Sequence, residues 1–328
     1  MNKRVLFRVD GGRKIGLGHL VRSIALADII INNFDVYFFS LEIPFALKEE
    51  LVKRNIKLIE IANEDDFYEK INENDIVVLD GYHFDLNYKQ NLKSKQCNLV
   101  SILDFVEVDN ISDVIINHNP ALNINNYPYK KENQTLALGA DYSLLRKSFL
   151  EQSKIEKKIP INDTVFACFG GSDSLNLTLK TLKVLIEYFN FKKINLVVGS
   201  EYCVTNELVK LLEKDARIKL LKNISEQELV KVFLESKIAI VSASTILLEA
   251  IACGTIPIIC YYADNQKCFH DYVVKEFYIQ SFSEKGEIKF NVLQQILKNK
   301  LYKKTNIIPL REKISDSDKN LLNLFLNL

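Results

Sequence analysis

The stretch Val5-Leu-Phe-Arg-Val-Asp-Gly-Gly-Arg-Lys-Ile-Gly-Leu-Gly-His-Leu-Val-Arg22 decides how this chain begins to fold. Residues 5–9 form a short apolar run typical of a strand, and apolar residues recur at helical spacing from Leu20 to Ile30. The glycine-rich segment therefore joins a strand to a helix, which is where open α/β folds bind their ligands. Because it brings His19 and Arg22 to the start of that helix, we interpret it as an active-site loop.

Several residues of this loop are candidates for ligand contact. Gly16 and Gly18 let a ligand approach the backbone closely, and the helix start offers unpaired N–H groups to an anion. Asp10 adds a carboxylate, and His19 adds an acid or base that works near neutral pH. The alternative is structural, with His19 bonded to a neighbouring carbonyl and Arg22 on the surface. The combination of these residues in one loop favours the functional interpretation.

The composition excludes several classes of protein. The chain has 328 residues, with 43 Lys and Arg against 42 Asp and Glu, so no surface for nucleic acid or for an acidic membrane is indicated. Apolar runs are too short for a signal-peptide core or a membrane span, and a cytoplasmic location is expected. The six cysteines are scattered without a C-x-x-C pair, which indicates neither a zinc site nor a disulfide framework.

Strand and helix patterns alternate along the chain, which predicts an α/β fold with parallel sheets. Strands are predicted near residues 4–9, 35–40, 57–61, 75–80, 98–103, 113–117, 135–139, 164–169, 194–199, 217–222, 237–242 and 256–261. Helices are predicted near residues 19–31, 45–54, 64–72, 86–94, 176–188, 203–214, 226–235, 245–252 and 265–274, followed by 290–304 and 309–327.

The alternation is interrupted between Tyr142 and Asn162 by a charged segment, and we predict the domain linker there. This gives an N-terminal domain over residues 1–150 that carries the His19 loop, and a C-terminal domain over residues 151–328. The last predicted helix, 309–327, is apolar nearly all round. It therefore needs a surface to cover, and the N-terminal domain is a candidate for that surface.

Further candidates follow the predicted strands, where side chains of a parallel sheet meet a ligand. Asp104 ends a strand of the first half and is a candidate partner for a substrate or for His19. In the second half, Gly171 and Ser172 lie in a strand-to-helix turn. This turn either lines a cleft, where it contacts a ligand, or only connects the two elements. Asn265 and Gln266 follow the last predicted strand, at the start of the next helix. Their amides either contact sugar hydroxyls or cap that helix.

The segment Ser242-Ala-Ser-Thr-Ile-Leu-Leu-Glu249 also joins a strand to a helix. Its small residues let a pyrophosphate reach the helix start, where the hydroxyls of Ser242, Ser244 and Thr245 are available. Glu249, one turn further, is either a carboxylate for the two hydroxyls of a ribose or an ordinary exposed helix residue.

These motifs together resemble the UDP-sugar hydrolases of pseudaminic acid biosynthesis, which are relatives of the MurG-type glycosyltransferases. The resemblance rests on the His19 loop, Tyr82, the Gly139-Ala-Asp-Tyr142 segment, Gly170 to Thr178, and Ser242 to Glu249 with Asn265-Gln266. Gly11 and Gly12 depart from it, since serines are common there. The resemblance implies a GT-B fold, in which two Rossmann-like domains with parallel sheets face each other across a cleft.

The resemblance also implies a reaction, the hydrolysis of UDP-2,4-diacetamido-2,4,6-trideoxy-β-L-altrose to the free sugar and UDP. In it His19 is the general base on water, with inversion at the anomeric carbon, while Tyr82 and Asn265 face the sugar or the water. Arg22 orients the sugar or offsets pyrophosphate charge, Ser244, Thr245 and the helix start hold the pyrophosphate, and Glu249 holds the ribose. Neither a metal ion nor another cofactor is expected, because the helix dipole supplies the positive potential.

Two other functions stay open from the sequence. A glycosyltransferase of the same fold uses the same UDP pocket and passes the sugar to an acceptor hydroxyl, although residues 60–95 show no combined apolar and basic patch for a lipid acceptor. A non-catalytic nucleotide-sugar binding protein is the other alternative. The expected partner in every case is a small UDP-sugar, and the sequence, which is compatible with a monomer, does not set the oligomeric state.

Overall fold

The computed structural model describes residues 2–12, 15–156 and 163–328, and these divide into two compact units. Unit 1 comprises Met1–Lys147 and Asp316–Leu328, and unit 2 comprises Ser148–Ser315. Arg13 and Lys14 of the His19 loop, and residues 157–162 of the predicted linker, lie outside the described residues. Within the described residues, no helix combines the length and apolar character that a bilayer span requires.

Unit 1 is built on a parallel sheet of seven strands. They are β1 (Arg4–Val9), β2 (Asp35–Ser40), β3 (Lys57–Glu60), β4 (Ile76–Asp80), β5 (Asn98–Ile102), β6 (Val114–Asn117) and β7 (Thr135–Leu138). Their order across the sheet is β3-β2-β1-β4-β5-β6-β7. Every residue of β4 is buried, which explains why its sequence is continuously apolar up to Asp80.

The first helices of unit 1 are α1 (Gly18–Ile30), α2 (Phe45–Lys53), α3 (Glu64–Tyr68) and α4 (Leu86–Lys93). The prediction of a helix over 64–72 was wrong at its end, because the chain turns after Tyr68. Two contacts account for the turn: Ile71 is buried in a core that α3 shares with β1 and β4, and the Lys70 carbonyl accepts a hydrogen bond from Arg4 instead of continuing the helix.

Unit 2 has a second parallel sheet of six strands, in the order β10-β9-β8-β11-β12-β13. They are β8 (Thr164–Cys168), β9 (Lys193–Val198), β10 (Ile218–Lys222), β11 (Ile238–Ser242), β12 (Ile256–Cys260) and β13 (Gln280–Ser281). A small hairpin of β14 (Ser283–Glu284) and β15 (Glu287–Ile288) follows. The last three strands were not predicted, since two residues each are too few to give a pattern.

The helices that follow are α5 (Lys147–Ser153), α6 (Leu177–Tyr188), α7 (Asn206–Lys214), α8 (Glu226–Glu235), α9 (Thr245–Ala252), α10 (Asp264–Phe277), α11 (Phe290–Lys298), α12 (Ile308–Ser315) and α13 (Ser317–Leu326). Helix α8 begins at the capping box of Ser225 and Glu228 that its sequence indicates. The single helix predicted over 309–327 is two helices that meet at Asp316. Helix α12 packs on α9 within unit 2, whereas α13 packs on α1 within unit 1.

Helix α13 completes the core of unit 1. Leu321 and Phe325 are buried in the cluster that α1 and the central strands form, and the Phe325 ring meets the Phe34 ring edge to face. The predicted C-terminal domain, 151–328, included this helix, but the structure assigns Asp316–Leu328 to unit 1. Its apolar residues thus cover α1, the helix that carries His19.

Candidate active site

A histidine and a carboxylate form the centre of the site in unit 1. His19 is the second residue of α1, and Asp80 is the last residue of the neighbouring strand β4. The Nδ1 atom of His19 lies 2.6 Å from Oδ1 of Asp80, and both side chains are almost fully buried. Nη2 of Arg22, which only donates, also lies 3.1 Å from Nδ1. The carboxylate contact is shorter, and because a carboxylate only accepts, it favours the imidazole proton on Nδ1. The Nε2 atom of the neutral ring then carries a lone pair, which is the requirement for a general base.

Arg22 holds this carboxylate from the next turn of α1. Its Nε donates to Oδ2 of Asp80 at 2.7 Å and its Nη2 to Oδ1 at 2.5 Å, while Ser23 donates to Oδ2 at 3.0 Å. Burial alone raises the pKa of Asp80, but the charge and hydrogen bonds of Arg22, with that of His19, outweigh burial and hold it below the ordinary value. Asp80 is therefore an anion near neutral pH, and it orients His19.

A second carboxylate extends the network toward solvent. Arg22 Nη1 also donates to Asp104, whose other oxygen accepts a hydrogen bond from the Tyr82 hydroxyl. The Tyr82 ring stands edge-on to His19, with centroids 4.8 Å apart, and is 63 % exposed. Four predicted site residues, His19, Arg22, Tyr82 and Asp104, are thus brought together around Asp80.

Asp104 gives this network a predictable response to acid. Burial raises its pKa, but the Arg22 charge and the hydrogen bonds from Arg22 and Tyr82 lower the pKa to about 2, against 3.8 ordinarily. A carboxyl with a depressed folded-state pKa stabilises the fold above its unfolded pKa, and this stability is lost as the pH falls through the folded pKa. We expect Asp104→Asn to cost about 2 kcal/mol at pH 7, with the difference from wild type shrinking between pH 4 and pH 2. Urea unfolding across that range measures it, and a pH-independent difference would contradict it.

Asp10 belongs to a different cluster at the same edge of the sheet. Its Oδ1 accepts hydrogen bonds from the backbone N–H of Leu41 at 2.7 Å and of Glu42 at 3.3 Å, and Arg8 lies 2.8 Å from the same oxygen. The fully buried Arg8 also donates to Glu64. These contacts tie the His19 loop to the β2–α2 connection, so the structure uses Oδ1 of Asp10 to hold the loop in place.

The glycines of the His19 loop divide into two kinds. A Cβ at Gly11 would lie 2.3 Å from the Leu20 side chain, and one at Gly12 would lie 1.8 Å from Glu42, so close packing explains both. Gly16 has φ +85°, and apart from their chain neighbours no described residue has an atom within 4 Å of a Cβ built on Gly16 or Gly18. The latter pair therefore leaves open space beside the start of α1, as ligand contact requires.

In unit 2, the turn after β8 is held by Asp173. Its two carboxylate oxygens accept hydrogen bonds from the N–H groups of Leu177 at 2.8 Å and Thr178 at 2.7 Å, which caps α6. Gly170 has φ +85°, and Gly171 and Ser172 are exposed. The turn thus presents its backbone and the Ser172 hydroxyl at the carboxyl edge of the sheet.

Tyr262 joins this turn to two other loops of unit 2. Its hydroxyl donates to the Phe169 carbonyl at 2.9 Å and interacts with Ser242, and its backbone N–H donates to Oε1 of Gln266 at 3.1 Å. The predicted Gln266 therefore contacts the backbone just before α10 through its oxygen, which is not the helix cap that the sequence left open. The loops after β8, β11 and β12 meet around this tyrosine.

The predicted nucleotide residues after β11 are placed at the start of α9. The Ser242 and Ser244 hydroxyls lie 3.0 Å apart, and no described side chain caps the start of α9, where Thr245 is partly exposed. Glu249 is 4 % exposed, so it is not the ordinary exposed helix residue that the sequence also allowed. Asn265 is exposed in the first turn of α10.

Gly199, after β9, supports the turn after β8. A Cβ on Gly199 would lie 2.6 Å from the backbone of Gly171, whereas a Cβ on Gly171 would meet no atom of the other described residues within 4 Å, its chain neighbours aside. We expect Gly199→Ala to lower the free energy of unfolding by about 1–3 kcal/mol, because backbone must move to make room. Gly171→Ala is the matched control and should cost less than about 1 kcal/mol. Thermal unfolding compares the two, and equal losses would show that the contact is unimportant.

The sequence analysis did not select three residues that the structure places in these contacts, namely Asp80, Tyr262 and His118. Asp80 stands at the end of a buried strand, as Asp104 does, so the same pattern could have indicated Asp80. The side chains that Asp80 contacts, however, lie about 60 residues away in the sequence. Among the described residues, no group of three or more His, Cys, Asp or Glu side chains is arranged to hold a metal ion.

The two sheets with their alternating helices define the class: the chain has the GT-B fold of two Rossmann-like units. It superimposes on the crystal structure of MurG from Acinetobacter baumannii with a TM-score of 0.64 and 12 % identity, over 99 % of this chain and 100 % of that one. No family model matches the sequence.

Curated relatives give the more particular likeness. The chain is 27 % identical, over 84 % of its length and 97 % of the relative's, to the UDP-2,4-diacetamido-2,4,6-trideoxy-beta-L-altropyranose hydrolase of Campylobacter jejuni. It is also 27 % identical to the uncharacterized protein MJ1062 of Methanocaldococcus jannaschii, over 83 % of its own length but only 58 % of that longer protein. The resemblance to these hydrolases and to their MurG-type relatives, which the motifs indicated, is confirmed.

Proposed function

We propose that this protein hydrolyses UDP-2,4-diacetamido-2,4,6-trideoxy-β-L-altropyranose, or a close analogue, to the free sugar and UDP. The reaction is a step of pseudaminic acid biosynthesis in this proposal. The observation that carries it is the His19–Asp80 contact, which occupies Nδ1 of His19 and leaves its Nε2 as the base. The similarity to the Campylobacter hydrolase over 84 % of the chain supports the choice of substrate.

Unit 1 supplies the chemistry in this proposal. Nε2 of His19 removes a proton from water as the water oxygen bonds to the anomeric carbon, and Asp80 stabilises the resulting imidazolium. The bond from the anomeric carbon to the β-phosphate oxygen breaks, and its electron pair leaves with UDP. Attack from the side opposite UDP inverts the anomeric centre. Tyr82 borders the imidazole and contacts the sugar or the water, with Arg22 and Asp104 fixing its hydroxyl.

Unit 2 holds the nucleotide in this proposal. The open start of α9, with the hydroxyls of Ser244 and Thr245 and the nearby Ser242, binds the pyrophosphate. Glu249 accepts hydrogen bonds from the ribose hydroxyls, and the turn at Gly171 and Ser172 contacts a phosphate. Asn265 and the amide nitrogen of Gln266 contact the sugar.

Incubation of the purified protein with this UDP-sugar in oxygen-18 water, without an acceptor, tests the function. The expected result is UDP release with the label in the sugar, because water attacks carbon. Label in UDP would mean attack at phosphorus and would exclude the proposed mechanism. Absence of any release without an added acceptor would overturn the hydrolase assignment.

A glycosyltransferase is the second candidate, and one observation favours it. Phe105, Val106 and Val108 are exposed apolar side chains beyond Asp104, and the Phe105 ring lies 5.8 Å from the Tyr82 ring. An apolar surface beside the base suits an acceptor that carries an apolar group. UDP release that begins only when an acceptor alcohol is added would establish this function instead.

A further inference from the structure

His118 occupies the next position along the edge of the sheet that carries the candidate site. Strands β4, β5 and β6 are parallel neighbours, with Ile102 of β5 in register with both Asp80 and Ile116. Two residues beyond each of these three paired positions come Tyr82, Asp104 and His118, which therefore follow three adjacent strands. Because parallel strands end at a common edge, His118 extends the row that begins with Tyr82 and Asp104.

A backbone hydrogen bond fixes which nitrogen of His118 carries the proton. Nδ1 accepts from the N–H of Leu144 at 3.2 Å. A backbone N–H only donates, so Nδ1 has the lone pair and the neutral ring carries its hydrogen on Nε2. Leu144 itself is anchored in the core of unit 1, which makes this orientation rigid. His118 is thus the opposite tautomer from His19.

His118 stays uncharged in the working range of pH. Burial and the positive charge of Arg22 lower its pKa to about 4, although the Asp104 and Asp80 carboxylates partly oppose this. His118 is partly exposed, and among the described residues its one hydrogen bond is the Leu144 contact at Nδ1. A fixed, neutral donor therefore remains available beside Asp104.

The charge of the surroundings indicates what this donor binds. Asp80 and Asp104 contribute two negative charges and Arg22 one positive charge, so this group of side chains is net negative. Such a site disfavours a pyrophosphate and suits an uncharged oxygen. In an N-acylated sugar, the amide carbonyl is the strongest uncharged acceptor.

We propose that His118 is a specificity-determining residue that donates its Nε2–H to an uncharged oxygen of the sugar, most directly an N-acyl carbonyl. This inference rests on the proposed function for the identity of the ligand. It assigns His118 a contact that is present in the bound substrate and absent for UDP alone.

Two substitutions separate the nitrogens of this ring. In His118→Asn the side-chain oxygen replaces Nδ1 and keeps the Leu144 contact, but the Nε2 donor is lost. In His118→Gln the amide nitrogen replaces Nε2, and the Leu144 N–H loses its partner. We expect His118→Asn to lower kcat/KM roughly 10- to 100-fold while the melting temperature changes little. We expect His118→Gln to keep activity within about 5-fold of wild type and to melt at a lower temperature.

The reverse pattern, an active Asn variant and an inactive Gln variant, would show that His118 only supports Leu144 and would overturn the proposal. Equal activity of both variants would overturn it as well. Nitrogen-15 NMR of the wild type gives a test that needs no variant, since it should find the His118 hydrogen on Nε2 at pH 7. The Nδ1–H form would contradict the assignment.

Calorimetric titrations keep this inference distinct from the proposed function. Both titrations are made in the His19→Asn background, in which the substrate turns over about 10³-fold more slowly. There, adding His118→Asn should weaken binding of the UDP-sugar roughly 10-fold and leave the dissociation constant for UDP unchanged. If the wild type releases no UDP but this binding pattern holds, hydrolysis fails and the His118 contact stands. If the wild type hydrolyses the substrate but His118→Asn leaves the dissociation constants of both ligands unchanged, the His118 contact is refuted and the hydrolase function is supported.

Discussion

Replacing His19 with Asn is expected to lower kcat for UDP release about 10³-fold and to leave the dissociation constant for UDP within about 3-fold of wild type. The asparagine amide can still donate to Asp80, so the buried carboxylate keeps a partner and the fold is retained. Nε2 and its lone pair are lost, and water must react without a base. Steady-state release of UDP and calorimetric titration with UDP measure the two quantities.

His83 provides the matched control for this variant. It lies in the loop after β4, is 47 % exposed, and approaches Oδ2 of Asp10 only at 3.7 Å. His83→Asn therefore removes an imidazole from the same edge of the sheet without removing the base, and kcat should stay within about 3-fold. Unchanged turnover in His19→Asn, or an equal loss in both variants, would refute the role of His19.

Asp80→Asn is expected to have the second large effect, on both stability and turnover. The buried Arg22 keeps its charge but loses the carboxylate that receives two of its hydrogen bonds, and the remaining Asp104 compensates only in part. Removing one partner of a buried ion pair costs about 3 kcal/mol. Urea unfolding at pH 7 should show a loss of this size.

Turnover should fall because the tautomer of His19 is no longer fixed. If the new amide group donates to Nδ1, the imidazole hydrogen moves to Nε2 and the base is blocked, so kcat should fall about 10²- to 10⁴-fold. Ser23→Ala is the control, because it removes one hydrogen bond to Asp80 and no charge. It should cost about 1 kcal/mol of stability and leave kcat within about 5-fold. A destabilised Asp80→Asn protein with normal kcat would show that Asp80 is structural only.

The fold was largely predictable because its signals are local. The strands of both halves follow from apolar runs, and those from β1 to β12 lie within a few residues of their predicted bounds. Helix α5 (Lys147–Ser153), by contrast, lies in the segment that was predicted as the linker. What the sequence missed depends on packing between distant segments. The break at Asp316 is an example, since α12 and α13 continue one apolar pattern and only their separate neighbours reveal two helices.

The candidate site was predictable to the extent that it follows strand ends. His19, Arg22 and Asp104 each stand after a strand or at a helix start, whereas Tyr82 was indicated by the family resemblance, and the structure joins all four. Asp80 has the same sequence position as Asp104, but only the three-dimensional contact shows which carboxylate meets the imidazole. The state of an imidazole depends on what each nitrogen touches, so the opposite tautomers of His19 and His118 have no counterpart in sequence.

The return of α13 to unit 1 bears on how the chain folds as it leaves the ribosome. Residues 1–147 emerge first, but Leu321 and Phe325, which cover α1, emerge after all of unit 2. Unit 2 is continuous in sequence and can complete its core while unit 1 still exposes apolar residues of α1. Unit 1 thus reaches its native state after unit 2, and the nascent chain depends longest on protection from aggregation at the helix that carries His19.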